Sequence, residues 1–121
     1  MELTIKIIQV IIALVLLSVW LIRPQMETRY RGGDAKNMKE EFAFYGLPSW
    51  FMILIGILKV AAALLLIAGL WFPVLVHYTS LAVALLMAGA LSMHIKVKDA
   101  IIKSLPALTL LVLSLVVFFL T

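Results

Sequence analysis

The side chains that could do chemistry in this chain are few, and the most informative is a lysine. Lys59 is the only charged residue between Glu41 and Lys96, and it lies in the middle of an apolar run from Trp50 to Phe72. An ammonium group held inside hydrocarbon costs several kcal/mol, so an ionisable residue at that depth marks a candidate functional site.

The two histidines are too far apart to share a metal ion. His77 and His94 are 17 positions apart in one apolar run, which is about 25 Å along a helix. We expect each to be an interfacial anchor, with His77 hydrogen-bonded to Gln9. The chain has no Cys, which excludes thiolate ligands and thiol redox chemistry. With no recognisable nucleophile–base pair, we expect no metal, no catalytic residue and no enzymatic activity by the chain alone.

The helix face that carries Lys59 is made of small residues. Gly56, Ala62 and Ala63 lie three or four positions from it, on the same face of a helix. Small residues mark surfaces where helices approach closely or leave space. Together with Ser114, at a similar depth in the last apolar run, these residues are our candidates for binding a ligand or partner.

Three interpretations of Lys59 stay open. It could reach toward the membrane interface and have no special role. It could be hydrogen-bonded inside the bundle, or it could bind an acidic ligand, a quinone oxygen or an acid from a partner helix. No acidic residue lies within any predicted span, so no carboxylate partner is evident in the chain itself. The small-residue face favours the second and third interpretations.

The composition requires a membrane. Of 121 residues, 65% are hydrophobic and 13% charged, whereas about a quarter of a soluble domain is charged. Apolar runs of about 20 residues are long enough to cross a bilayer. The first run lacks a small-residue cleavage pattern, so we expect a retained helix rather than a signal peptide. The sequence predicts an all-α polytopic membrane protein: one four-transmembrane-helix bundle of two helical hairpins, spanning about 5–22, 49–70, 74–93 and 104–121.

Basic residues predict the orientation. Eight lie in the two hairpin loops, against only Lys6 and the amino terminus on the other side. Loops with such an excess of Lys and Arg face the cytoplasm, so we expect both termini outside a cell's inner or plasma membrane. The net charge of +4 is then explained by basic loops that face anionic lipid headgroups. It does not indicate binding to nucleic acid. The loop residues are Arg23, Arg29, Arg31, Lys36, Lys39, Lys96, Lys98 and Lys103.

Two further patterns concern helix packing. In the basic loop 23–48, Ala35, Met38, Phe42 and Tyr45 recur at helical spacing, which predicts a short interfacial helix at about 35–45. The alternative is a loop that packs over the mouth of the bundle. In the third span, the small residues Ala84, Ala88 and Ser92 predict a helix-packing surface, within the chain or between two copies. A homodimer is therefore possible.

The chain resembles the DoxX-like family over nearly its whole length. The resemblance rests on Lys36-x-x-Lys39-x-x-Phe42-x-x-Tyr45-Gly46-Leu47-Pro48, Gly56-x-x-Lys59, Gly69, Ala90-x-x-x-His94, Asp99, Lys103 and Pro106. It implies four spans and a long first loop. One departure matters, because the family pattern usually carries a Glu where this chain has Lys59.

The members of this family have different functions, so the resemblance implies a fold and a membrane localisation more than an activity. One branch is a small subunit of a membrane thiosulfate:quinone oxidoreductase, mycobacterial members are linked to oxidoreductase complexes, and an animal branch resembles receptor assembly chaperones. Our leading prediction is a membrane scaffold, accessory subunit or assembly factor that contacts another membrane protein and needs no cofactor. The alternatives are a quinone-linked oxidoreductase subunit, with quinone as cofactor, and a small-molecule permease.

Overall fold

Helices account for the regular structure of the part of the chain that is described. The computed structural model describes residues 2–22, 37–96, 98 and 101–121, and within them there is no strand. The helices are α1 (Glu2–Leu17, continued by a π-helical turn at Ser18–Ile22), α2 (Met38–Phe44), α3 (Ser49–Ala68), α4 (Val74–Lys96) and α5 (Ile101–Leu120). The all-α prediction is confirmed.

Four helices are long and apolar enough to cross a membrane. They correspond to Leu3–Leu21, α3, α4 and Lys103–Leu120. In the bundle, α1 packs against α3 and α5, and α4 packs against the same two helices, with the largest interface between α4 and α5. This confirms the predicted four-helix architecture of an integral membrane protein.

The two ends of the bundle differ in structure. We call the end that carries α2 and Lys98 the loop end, and the end that carries Thr121 and the link from α3 to α4 the termini end. The half toward the termini end is closely packed, and we call it the packed half. The buried core of the bundle, most of which lies in this half, comprises Ile12, Ala13, Leu16, Ala62, Ala63, Leu66, Val76, Val83, Met87, Leu110 and Val117.

Helix α2 is delimited at both ends by local hydrogen bonds. The Asn37 side chain accepts from the Glu40 amide at 2.9 Å and donates to the Glu40 carboxylate at 2.8 Å, which is an N-cap with a reciprocal bond. At the other end, Gly46 has a φ of +80°. The Gly46 and Leu47 amides bond back to Ala43 and Phe42, which is a Schellman C-cap.

The predicted interfacial helix is shorter in the structure than its range of 35–45. It begins at Met38, and positions 35 and 36 lie outside the described residues. Phe42 and Tyr45, two members of the predicted apolar stripe, are buried. The stripe therefore packs this helix onto the bundle, against α3 and the end of α1.

Gln9 links α1 to the end of α3. Its Nε2 donates to the Leu66 carbonyl at 2.6 Å, while the Leu70 amide bonds to Ile67 instead. Gln9 thus satisfies one of the carbonyls that a helix C-terminus leaves without an intrahelical partner. The prediction of a hydrogen bond between Gln9 and His77 is wrong, because His77 Nδ1 pairs with the Thr121 hydroxyl at 3.2 Å.

Candidate functional site

A cavity of about 470 Å³ lies in the half of the bundle near the loop end. It is bounded by the end of α1, by α2, and by the parts of α3, α4 and α5 nearest the loop end. Its volume lies in the range of small-molecule pockets. Most of the wall is apolar, and the polar or titratable lining side chains are Glu41, Tyr45, Lys59, Ser92, His94 and Lys103.

Lys59 lines this cavity beside an indole ring. Its Nζ lies 5.5 Å from the centroid of the Trp20 ring, within cation–π range. Trp20 occupies its place because residue 56 is glycine: a Cβ there would lie 2.7 Å from two atoms of the indole. The Gly56-x-x-Lys59 spacing therefore makes room for the ring one turn before the ammonium group that the ring faces.

Glu41 brings a carboxylate to the same cavity from outside the spans. It lies on α2 and lines the same cavity as Lys59. The Tyr45 hydroxyl donates to Glu41 Oε1 at 2.8 Å, which orients the carboxylate. The predicted spans contain no acidic residue, but Glu41, on the helix of the first loop, lines the same cavity as Lys59.

Further contacts hold α2 over the cavity. Lys96 Nζ donates to the Tyr45 carbonyl at 3.0 Å, and the Tyr45 ring meets the His94 ring edge-on at 5.9 Å. On the other side, Phe42 meets Trp20 edge-on at 6.0 Å. The helix is thereby connected to both α1 and α4.

The other residues predicted for the Lys59 site lie elsewhere. Gly56 packs behind Trp20, and Ala62 and Ala63 are buried in the packed half. Ser114 is fully buried, does not line the cavity, and donates to the Leu111 carbonyl of its own helix at 3.0 Å. The structure thus brings Lys59 together with Glu41 and Trp20, and not with Ser114.

The small residues predicted for packing on α4 are divided between two environments. Ala84 is buried, whereas Ala88 and Ser92 are exposed. Ser92 lines the cavity together with Gly89, where an added Cβ would meet nothing within 4 Å. Leu85 is also both exposed and part of the wall. The cavity therefore opens sideways along this stretch of α4.

Glu41, Trp20 and His94 are members of the site that sequence reasoning did not assign to it. His94 was expected only to be an interfacial anchor, and Trp20 lies near the end of the first apolar run, three residues before Arg23. Glu41 is four residues before Tyr45, so both lie on one helix face, and this spacing could have linked them. Nothing in the sequence indicates that this face lines the same cavity as Lys59.

The arrangement is suited to holding a ligand that has a polar head and an apolar body. Ammonium and phenol groups donate hydrogen bonds, aromatic rings offer stacking surfaces, and aliphatic side chains form the rest of the wall. Within the described ranges, no three His, Asp or Glu side chains form a group that could hold a metal ion.

Comparison with known proteins gives the family. The profile of the DoxX-like family matches residues 30–118. "Uncharacterized protein YdgD" of Bacillus subtilis (strain 168) is 30% identical over 79 residues, which are 64% of this chain and 69% of that protein. No solved structure matches the chain. The matched region contains α2 to α5 almost entirely, and with them most of the cavity wall. The chain belongs to the DoxX-like family.

Proposed function

We propose that this chain is a non-catalytic accessory subunit of a membrane complex, and that it holds an amphiphilic small molecule in the cavity beside Lys59. The observation that carries the proposal is the juxtaposition of Lys59, Glu41 and Trp20 on the wall of a largely apolar cavity inside a membrane bundle. These groups bind and orient a ligand, which is the role of a subunit that supports another protein's reaction.

The lateral opening supports a membrane-soluble ligand. Leu85, Gly89 and Ser92 belong both to the cavity wall and to the outer surface of α4. A molecule dissolved in the bilayer can enter there without crossing the packed half. The same exposed small residues, with Ala88, allow another helix to approach closely, which supports the predicted contact with a membrane partner.

A quinone-linked oxidoreductase subunit is the second candidate function. A quinone ring could stack on Trp20, and its carbonyl oxygens could accept a hydrogen bond from Lys59. This candidate agrees with one branch of the family. It has the same site as the first candidate and differs from it in the identity of the ligand.

A permease is the weakest candidate. Transport needs a polar path from one membrane face to the other, whereas the packed half is filled mainly by apolar side chains such as Ile12, Leu66 and Val117 that are almost inaccessible. The buried polar side chains Gln9, Ser80 and Ser114 bond to backbone carbonyls. The cavity ends where this core begins.

The ligand-binding role is tested by blocking the cavity. Gly89→Leu places a side chain where the structure has open space in the wall. Ala82→Leu is the matched control, because Ala82 is exposed on the same helix and does not line the cavity. We would purify the wild type and both variants from native membranes and identify the co-purifying small molecules by mass spectrometry.

We expect at least one compound to be enriched in the wild type and in Ala82→Leu and to be lost in Gly89→Leu. If that compound is a quinone, the second candidate function is supported. Identical extracts from all three proteins would contradict a ligand-binding role.

A further inference from the structure

We propose that the indole ring of Trp20 is the partition that limits the size of the cavity, and that this ring thereby determines which ligands the cavity accepts. The inference rests on the ligand-binding role proposed above and assigns the selection of ligands by size to one residue. It depends on a groove outside the bundle, on the position of the ring between the groove and the cavity, and on the contacts that hold the ring there.

The groove lies on the outer side of α3 and has a volume of about 620 Å³. Its wall includes Ile57 and Leu64, which are exposed side chains of a membrane-spanning helix, so the groove faces lipid. Ile55 and Lys59, four positions apart on the same helix, line the cavity instead. Helix α3 therefore has the groove on one face and the cavity on another.

Trp20 is the only residue that lines both the cavity and the groove within the described part of the chain. Its ring packs against Gly56, which belongs to the groove. The centroid of the same ring lies 5.5 Å from the Nζ of Lys59, which belongs to the cavity. The indole thus fills the gap between α1 and α3, and without it the two spaces would be continuous.

The backbone and the neighbours of Trp20 suit a partition. Trp20 lies in the π-helical turn Ser18–Ile22, and such turns are rare and frequently occur at functional sites. The ring is held by the Lys59 ammonium group and by the edge-on ring of Phe42 at 6.0 Å. A side chain is absent on α3 at the place where this ring lies, because a Cβ at position 56 would be 2.7 Å from two of its atoms.

The experiment measures which molecules reach the cavity from the bilayer. The chain has no native Cys, so Ala107→Cys places a single thiol on the cavity wall at a buried position. The full chain in lipid nanodiscs is labelled with N-ethylmaleimide as the small reagent and with N-pyrenylmaleimide as the large one. Both rates are followed by mass spectrometry, and their ratio reports the size limit of the cavity.

The variants change the partition in steps. Trp20→Ala removes the ring, and Trp20→Phe makes it smaller. Trp50→Ala is the matched control, because the Trp50 side chain is 67% exposed and lines neither the cavity nor the groove. Adding Gly56→Leu to Trp20→Ala places a side chain in the volume of the missing ring. This second substitution would restore a partition, but it would not repair a bundle that has loosened in general.

We expect Trp20→Ala to accelerate labelling by the pyrenyl reagent about tenfold or more, which corresponds to a barrier lower by about 1.4 kcal/mol. The rate of the small reagent should change much less. Trp20→Phe should have an intermediate effect, Trp50→Ala should have none, and the double variant should label slowly again. When Gly89→Leu blocks the opening at α4, Trp20→Ala should restore labelling by way of the groove.

Two results would overturn the inference: a ratio of the two rates that Trp20→Ala leaves unchanged, or a faster rate that Gly56→Leu does not reverse. If Gly89→Leu alone still slows labelling in either case, the ligand-binding role stands and only the assignment of Trp20 fails. If neither reagent labels Ala107→Cys in any variant, the cavity does not admit apolar molecules, and the proposed function fails as well.

Discussion

At the scale of single residues, glycine positions decide how closely the helices can approach one another. Gly56 and Gly69 are buried against other side chains, whereas Gly89 borders open space. The same substitution should therefore have opposite effects at different positions, and this difference tests the packing directly.

The first prediction compares Gly56→Ala with Gly89→Ala. At position 56 the new methyl group would overlap the Trp20 ring, and overpacking of this kind costs about 1–3 kcal/mol. At position 89 the methyl meets nothing, and replacing a helical glycine stabilises by about 0.5–1 kcal/mol. Thermal unfolding in detergent should thus give a lower Tm for the first variant and a higher one for the second. Equal shifts would contradict the observed position of Trp20.

The second prediction concerns Gln9. Its side chain is 2% exposed and donates to the Leu66 carbonyl. Gln9→Leu should leave that carbonyl unpaired in an apolar environment, at a cost of about 1–3 kcal/mol. The thermal stability should fall, while Thr4→Ala on the exposed surface of the same helix should leave it unchanged. An unchanged Tm for Gln9→Leu would rule out this contact between α1 and α3.

At the scale of elements, α2 is a short helix that depends on its caps and on its contacts. A seven-residue helix is too short to be stable by itself in water. It is held by the Asn37 cap at one end, the Gly46 cap at the other, and the buried rings of Phe42 and Tyr45. Because Glu41 belongs to this helix, its carboxylate lines the cavity only when α2 is folded and packed onto the bundle.

The third prediction follows from that dependence. Asn37→Ala removes the side-chain acceptor of the Glu40 amide, and loss of such a cap costs about 1 kcal/mol. Hydrogen exchange at the first amides of α2 should accelerate, with little change in α4. Lys39→Ala is the control, because Lys39 is exposed on the same helix and forms no part of the cap. Equal exchange rates in all three proteins would show that the cap does not stabilise α2.

At the scale of the whole molecule, the bundle is packed in one half and hollow in the other. In the packed half, side chains such as Ile12, Leu66 and Val83 are almost completely buried, whereas the other half encloses a cavity of about 470 Å³. The packed half provides a stable frame, and the hollow half provides space for a ligand.

The fourth prediction concerns orientation. The excess of Lys and Arg in the loops favours a cytoplasmic loop end and external termini. The chain has no native Cys, so single cysteines can be labelled without background. A membrane-impermeant maleimide should label Thr121→Cys in intact cells, and should label Ser49→Cys only after the membrane is opened. The reverse pattern would contradict the charge rule for this chain.

Much of the architecture could be predicted from the sequence, because a bilayer imposes a simple requirement on each segment separately. A span needs about 20 apolar residues, and backbone groups in hydrocarbon must be paired within helices. The four long helices follow from these local conditions. The starts of α3 and α4 next to Pro48 and Pro73 are local as well, since proline is tolerated in the first turn of a helix.

The composition of the site could not be predicted in the same way, because it depends on which faces meet. The sequence by itself determined a four-helix membrane bundle, a basic loop with a short helix, and a lysine at membrane depth. Only the tertiary structure decided that the loop helix brings Glu41 to the cavity that Lys59 lines, that Trp20 occupies the space left by Gly56, and that Ser114 lies in the packed half instead. The physical reason is that apolar content places a helix in the membrane, whereas its rotation and its neighbours are set by side-chain packing across the whole bundle.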